Sequence, residues 1–334
     1  MATVRDVATY AGVSTATVSY VLNGHKTRAK PVSDKTRRRV LAAAAALDYA
    51  PNEAARSLRR RTTHRVALVS SGVGVPWMDE LASELQSTAE QHKYTLVILP
   101  VDSEERLAHA VQMMRQKLVD GAVIAPLNLP LDIDALQRLA RDGFPLVAYS
   151  NEVRAENFDV VRTTEREGIR QAVACLVEGG RRRIGYLADG PGPEPDLASY
   201  RYRAFASALS DLGVPLDPRL VAPAVDRGQA FASTQRLLAE PDPPDAIFSA
   251  NDRGAIAAIW AAHRRKLRVP DDVAIVGVGN IPEAEITDPP LSTVGPTSVE
   301  FGRVAELLFS RLGGDVSPYQ ALVEDRHFIH RGSA

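Results

Sequence analysis

The chain has 334 residues, 45% hydrophobic and 24% charged, with a formal net charge of −1 and a single cysteine. That length exceeds one ordinary core and implies two or three domains, while one cysteine excludes an internal disulfide and a cysteine-cluster metal site. No run approaches the roughly 18 apolar residues of a membrane helix, and the N-terminus lacks the apolar core of a signal peptide, so the chain is expected in the cytoplasm, away from any membrane.

The charge is unevenly spread. Residues 1–62 hold twelve Lys or Arg against four Asp or Glu, a net of +8, which leaves −9 for residues 63–334. A basic head on an acidic body is the footprint of a nucleic-acid reader, because phosphate contacts and counterion release supply most of the affinity. Within the head, Val4, Val7, Ala8 and Ala11 recur at helical spacing until Gly12, a residue suited to a left-handed turn. Ser14 then caps a second helix whose apolar stripe is Val18, Val21 and Leu22, with Thr15, Ala16, Ser19 and Tyr20 on its other face. Ser33 to Leu47 supplies a third helix, with Val40, Leu41, Ala44 and Leu47 expected inward. The pattern is that of a helix-turn-helix. Pro51 stops the third helix and Asn52 caps about two turns before Arg59-Arg60-Arg61, a segment too short to be a stable helix unless something holds it.

From Arg65 the pattern changes. VALVS (66–70), TLVIL (95–99), GAVIA (121–125) and PLVAY (145–149) read as strands, with helices around Trp77–His92, Glu104–Leu118 and Ile133–Arg141. The rhythm resumes with IGYLA (184–188), AIFSA (246–250) and VAIVGV (273–278), interleaved with helices around Glu165–Glu178, Tyr200–Leu212, Gln229–Leu238 and Ala255–Arg265. Continuous apolar strands alternating with helices imply an α/β body of two doubly wound lobes. Ligands in such sheets sit beyond the carboxyl ends of the strands. The candidates there are Ser70 to Trp77, including Val73, then Tyr149 to Glu152, Asp189 to Glu194, Asn251-Asp252 and Gly279-Asn280.

Catalytic signatures are missing. Ser71 to Gly74 and Gly277 to Gly279 do not complete a dinucleotide loop, because positions 77 and 282 are Trp and Pro. There is no G-x-S-x-G elbow, the histidines show no metal-ligand spacing, and Cys175 lies in an apolar helical run as a structural thiol. No catalytic residue, cofactor or metal is expected.

The chain resembles the lactose repressor (LacI/GalR) family over nearly its whole length. The head reads V-x-D-V-A-x-x-A-G-V-S-x-x-T-V-S-x-V-L-N at Val4 to Asn23, then V-S-x-x-T-R-x-R-V at Val32 to Val40. P-N-x-x-A-R-S-L at Pro51 to Leu58 is similar to the family's hinge helix. A-N-D at 250–252, L-R-V-P-D-D-V at 267–273 and P-P-L-S-T-V at 289–294 are similar to its effector core.

The resemblance implies a DNA-binding domain at 1–50, a hinge at 51–62 and an effector and dimerisation domain at 63–334. The N-lobe is expected at about 63–162 and 292–320, the C-lobe at about 163–291 and 321–334. Thr15, Ala16 and Tyr20 would meet base edges in the major groove. Beside them Ser14, Thr17, Ser19 and Asn23, with Ser33, Thr36, Tyr49 and Asn52, would hold phosphates and register. Ala55 and Leu58 would enter the minor groove, bending the duplex. The implied partners are a palindromic operator, a second copy of the chain, and a sugar or small anionic metabolite between the lobes. Arg201, Asn251 and Asp252 match ligand-cleft positions of the family, joining Val73, Trp77, Tyr149, Arg227 and Asn280.

Departures from the family pattern carry information too. Tyr20 stands where Arg is common, so the operator is expected to differ there. The segment Gly24 to Pro31 is longer than usual and basic. Gly279 and Tyr149 stand where acidic residues are common, and with Arg201 and Arg227 retained this tilts the expected ligand toward a less hydroxylated or anionic one.

Overall fold

The computed structural model describes residues 2–23, 32–50, 62–72, 76–127, 129, 131–190, 194–298 and 300–334. The chain forms two compact units, Met1–Thr63 and His64–Ala334.

The first unit holds three helices, α1 (Val4–Ala11), α2 (Thr15–Asn23) and α3 (Asp34–Ala46). Thr3 and Asp6 close a reciprocal capping box at the start of α1, and Gly12 ends it at φ +60° with its N–H turned back to Ala8 and Thr9. Ser14 accepts from the Thr17 amide at 3.2 Å, and Ser33 caps α3 through the Thr36 amide at 3.3 Å. Val7, Ala8, Ala11, Val18, Val21, Val40, Ala43 and Ala44 are the buried core. Leu41, expected inward, is exposed. The stripe of α3 is Val40, Ala43, Ala44 and Leu47, and Leu41 lies about 100° around the helix from it.

The second unit has two lobes with a six-stranded sheet each. The N-lobe sheet contains β1 (Arg65–Ser70), β2 (Thr95–Pro100), β3 (Gly121–Ile124), β4 (Leu146–Tyr149), β5 (Asp159–Thr163) and β11 (Ala321–Glu324), in the order β11-β5-β4-β3-β1-β2 and all parallel. Its helices are α4 (Pro76–Gln91), α5 (Glu104–Arg115), α6 (Ile133–Arg141) and α12 (Phe301–Leu312). The C-lobe sheet contains β6 (Ile184–Ala188), β7 (Val221–Pro223), β8 (Ala246–Ser249), β9 (Ala274–Val278), β10 (Ser292–Gly295) and β12 (His327–Ile329). Its order is β12-β10-β9-β8-β6-β7, with β12 antiparallel to β10. The helices α7 (Glu165–Glu178), α8 (Tyr200–Asp211), α9 (Arg227–Leu237), α10 (Asp252–Arg264) and α11 (Glu283–Ile286) belong to it. Among the described residues no helix is long and apolar enough to cross a membrane.

The chain therefore crosses between lobes three times, at 163–165, 295–301 and 324–327. Two expected boundaries are corrected. Ser292–Gly295 pairs with β9 and belongs to the C-lobe, while Ala321–Glu324 pairs with β5 and belongs to the N-lobe. Four-residue strands carry no sequence mark of which sheet they join, because the choice lies in backbone pairing: β10 joins β9, 16 positions away, and β11 joins β5, 161 positions away. A buried pair holds the returning helix α12 to its lobe: Arg311 donates to both oxygens of Asp159 at 2.8 and 2.9 Å.

Candidate functional site

On the head, the loop and first turn of α2 present Ser14, Thr15 and Ala16 outward, while Val18 and Val21 anchor the helix from behind. The Ser14 and Thr17 hydroxyls lie 2.9 Å apart, as do those of Ser33 and Thr36 at 3.0 Å, so both helix starts present paired hydroxyls beside free-ended amides. Ser19, Tyr20 and Tyr49 are half-buried. Arg39 ties α3 to the turn by donating to the Gly12 carbonyl at 3.2 Å. Asn52, Ala55, Leu58 and Val73 lie outside the described residues, as do the long loop Gly24–Pro31 and the side chain of Asn23.

In the body, a cleft of about 1020 Å³ opens between the lobes. The loop after β3 supplies an apolar wall of Leu127, Leu129 and Leu131, and the strand end of β4 supplies Tyr149 and Asn151. Asp189, Tyr200 and Arg201 face them from the C-lobe. These residues sit at the carboxyl ends of their strands or at the starts of the following helices, where a parallel sheet leaves room for a ligand.

Arg201 is already engaged. Its Nε and Nη2 donate to the two oxygens of Glu165 at 2.8 and 3.0 Å, and its Nη1 donates to the Ala250 carbonyl at 2.7 Å. Three of five guanidinium N–H groups are thereby occupied, leaving two for a ligand. Glu165 begins α7 and takes a further bond from Arg326 Nη1 at 2.9 Å. Burial alone would raise its carboxyl, yet Arg201 and Arg326 together hold it down at about 2. Arg326 also reaches Glu324 at 3.3 Å, and Glu324 accepts from the Tyr149 hydroxyl at 2.7 Å. Burial, and then Glu324, push that hydroxyl well above the usual tyrosine range, so Tyr149 stays a neutral donor.

The result is a continuous polar chain, Arg201–Glu165–Arg326–Glu324–Tyr149, linking α8 and α7 of one lobe to β11 and β4 of the other. It runs where two crossings lie side by side: Thr164 Oγ1 donates to the Arg326 carbonyl at 2.9 Å and accepts from its amide at 2.7 Å.

The other expected ligand residues sit elsewhere. Trp77 lies behind Tyr149, edge-on to it at 5.2 Å and to Phe301 at 5.3 Å, with the Arg326 guanidinium 5.3 Å over its ring. Arg227 is exposed at the start of α9 and does not line the cleft, because the Asp226 cap on the edge side of the C-lobe sheet sets where that helix begins. Asn251 caps α10 through the Gly254 amide at 2.8 Å. Asp252 is fully buried, accepting from the Thr293 hydroxyl at 2.5 Å and from the Ile281 amide at 2.9 Å, and burial pushes its carboxyl up to about 6. Asn280, at φ +53°, donates to the Pro296 carbonyl at 2.7 Å and accepts from Arg331 at 2.8 Å. Asp252 and Asn280 stitch C-lobe strand ends together, and Asn251 starts the helix after β8.

Sequence reasoning missed Glu165, Glu324 and Arg326. Nothing local marks them: Glu165 reads as an ordinary acidic residue in a first helical turn, and its two arginine partners are 36 and 161 positions away. Among the described residues no cluster of histidine, cysteine and carboxylates could hold a metal ion.

A helix-turn-helix head joined to a two-lobed clamp with a polar cleft defines a ligand-controlled DNA-binding protein. Residues 3–52 match the bacterial regulatory proteins of the lacI family, and residues 173–334 match the periplasmic binding protein-like domain. The repressor PurR of Mannheimia succiniciproducens is 32% identical over 315 residues, which cover 93% of this chain and 92% of the relative. The ribose operon repressor of Haemophilus influenzae is 30% identical over 338 residues, 100% of this chain and 98% of the relative. Among solved structures, the lac repressor dimer bound to operator and the anti-inducer ONPF superimposes with a TM-score of 0.75 at 26% identity, covering 99% of this chain and 98% of that one. The chain belongs to the LacI family of bacterial transcription regulators. It is a DNA-binding transcriptional repressor whose affinity for DNA is controlled by a small molecule bound in the periplasmic-binding-like body.

Proposed function

We propose that two copies of this chain read a palindromic operator and that the cleft between the lobes is the effector site. One recognition helix reads too few bases for useful discrimination, and paired half-sites double the contacts. Ser14, Thr15, Ala16, Thr17, Ser19, Tyr20 and Asn23 serve the major groove, Ser33, Thr36, Tyr49 and Asn52 the backbone, and Ala55 and Leu58 the minor groove. Binding alone accounts for these parts, so the protein works in the cytoplasm by occupancy and catalyses nothing.

The observation that carries the effector reading is the buried chain from Arg201 to Tyr149, since both of its ends line the cleft while its middle spans the crossings between lobes. A ligand touching Arg201 and Tyr149 together favours one angle between the lobes, and that bias is what changes DNA affinity. Because Glu165 neutralises Arg201, the cleft gives no preference to an anion. Of the two classes the sequence suggests, a hydroxyl-bearing, sugar-like molecule fits better.

Fluorescence polarisation with genomic duplex fragments tests the reading. Tight binding to one fragment with steep salt dependence, altered by a small molecule in wild type but not in Arg201→Ala, supports it. Equal affinity for all duplexes overturns the operator reading. An unaltered ligand response in Arg201→Ala removes that residue from the cleft.

A further inference from the structure

Five carboxylates and four guanidinium groups line the cleft, and a sixth carboxylate, Glu324, stands just behind Tyr149. Most are matched. Glu165 has Arg201 and Arg326, Glu324 has Arg326, and Glu152 has Arg203 at 3.0 Å near the mouth. Arg154 and Glu156, also near the mouth, offset each other in charge. Asp189 and Asp196 remain, and neither forms an ion pair with any described residue.

Their position is built. Asp189 is the first residue beyond β6, held at the cleft floor by the strand itself, and Gly190 follows at φ +153°. A Cβ at 190 would lie 3.0 Å from that of Asp196, so the absence of a side chain there lets the two aspartate-bearing segments close on each other. Asp196 is fixed in turn by accepting from the Ala198 amide at 2.9 Å. Arg201 is the cation whose charge acts on Asp189, but its hydrogen bonds go to Glu165 and to the Ala250 carbonyl. Removal from water pushes the Asp189 carboxyl above its usual range despite Arg201, and Glu165 and Asp196 add to that push. A part-buried carboxylate that must share its cation with Glu165 is left under-compensated in the empty cleft, and a cationic ligand relieves that penalty as it binds.

From this arrangement we propose that the effector carries a protonated amine, and that Asp189, backed by Asp196, is the residue that selects it. This deepens the cleft reading above and rests on it. The apolar wall at Leu127, Leu129 and Leu131 would hold the ligand's carbon frame, and the two remaining N–H groups of Arg201 would take a hydroxyl or ether oxygen. The ligand class is then a small polar molecule that carries both an amine and a hydroxyl or ether oxygen, such as an amino sugar or an amino alcohol.

The experiment pairs each amine with its neutral isostere on the full-length chain: glucosamine against glucose, and 4-aminobutan-1-ol against 1,4-butanediol, with gluconate as the anionic control. Binding is read by melting-temperature shift and by change in operator affinity. The expected result is at least one amine binding about tenfold or more tightly than its isostere, the scale of one charge-assisted hydrogen bond to a desolvated group. In Asp189→Asn that ratio should fall toward one while the neutral isostere keeps its affinity. Should Asp189→Asn fail to fold, Asp196→Asn, with a smaller loss of the ratio, serves instead.

Equal binding of amine and isostere by wild type, or preference for gluconate, overturns the amine assignment and leaves the cleft reading standing. An amine preference unchanged in both variants removes Asp189 from the role. If no compound shifts the melting temperature or the operator affinity, the cleft reading falls together with the assignment.

Discussion

Single side chains decide how the body titrates and how it responds. Arg201→Ala would leave Glu165 buried with Arg326 still bonded to it at 2.9 Å, so the cost should fall below the roughly 3–5 kcal/mol of a buried charge left with no partner. The variant should melt earlier, lose its ligand response and still bind operator in gel-shift titration; a retained response would place the effector elsewhere. Asp252 is expected to show itself through pH. Burial raises its carboxyl to about 6 in the folded chain against an ordinary value of 3.8. Between those values the folded state keeps a proton that the unfolded state has released. Its contribution to stability is therefore complete below about pH 4 and is lost as the pH rises through about 6, a change of about 3 kcal/mol for two pKa units. Because Asn does not titrate, the stability difference between wild type and Asp252→Asn in urea should move by that amount in favour of Asn from pH 4 to pH 7. A difference that stays flat would show that the carboxyl is ordinary. Glu165 has the opposite sign: its folded value of about 2 means that its contribution is present above about pH 4.5 and disappears as acid approaches pH 2.

At the scale of elements, the turn between α1 and α2 depends on a backbone conformation that side chains rarely adopt. Gly12 sits at φ +60° with only the tip of Arg39 within reach of a Cβ, so Gly12→Ala carries conformational strain of about 1 kcal/mol and little steric clash. Amides of the head should exchange about fivefold faster in that variant and those of the body should not; unchanged exchange would show the turn to be relaxed. The buried chain across the crossings is the second element with consequences. Glu324→Gln and Tyr149→Phe each break one link of it, and each should leave ligand affinity within a few-fold of wild type while reducing the ratio of operator affinities with and without ligand. A fall in affinity at an unchanged ratio would mean that these residues only bind. Of the elements themselves, α1 to α3 were legible from periodicity and the strands β1 to β4, β6, β8 and β9 from their continuous apolar runs. The strands β5, β7 and β11 were not, since β5 and β11 carry charged residues and β7 is three residues ending in proline, so none reads as a continuous apolar run.

For the whole molecule, the basic head and acidic body make operator binding depend on salt, and the hinge proposed at 51–62 would decide whether the two parts communicate. Leu58→Gly is expected to lower operator affinity in gel-shift titration while leaving ligand binding to the body intact; wild-type operator binding would show that no wedge is needed there. By itself the sequence determined the three-helix head, the charge division, the alternation that makes two parallel-sheet lobes, and the family. All of these are written locally, in spacing, capping residues and turn glycines. Only the tertiary structure decided which strand completes which lobe, that Asp252 and Asn280 hold strand ends together while Asn251 caps a helix, that Arg227 faces solvent, and that Arg201 is neutralised. The reason is physical: a guanidinium has the same appearance in a sequence whether or not a carboxylate waits for it, and Arg326 reaches Glu165 only after the chain has crossed to the other lobe and back.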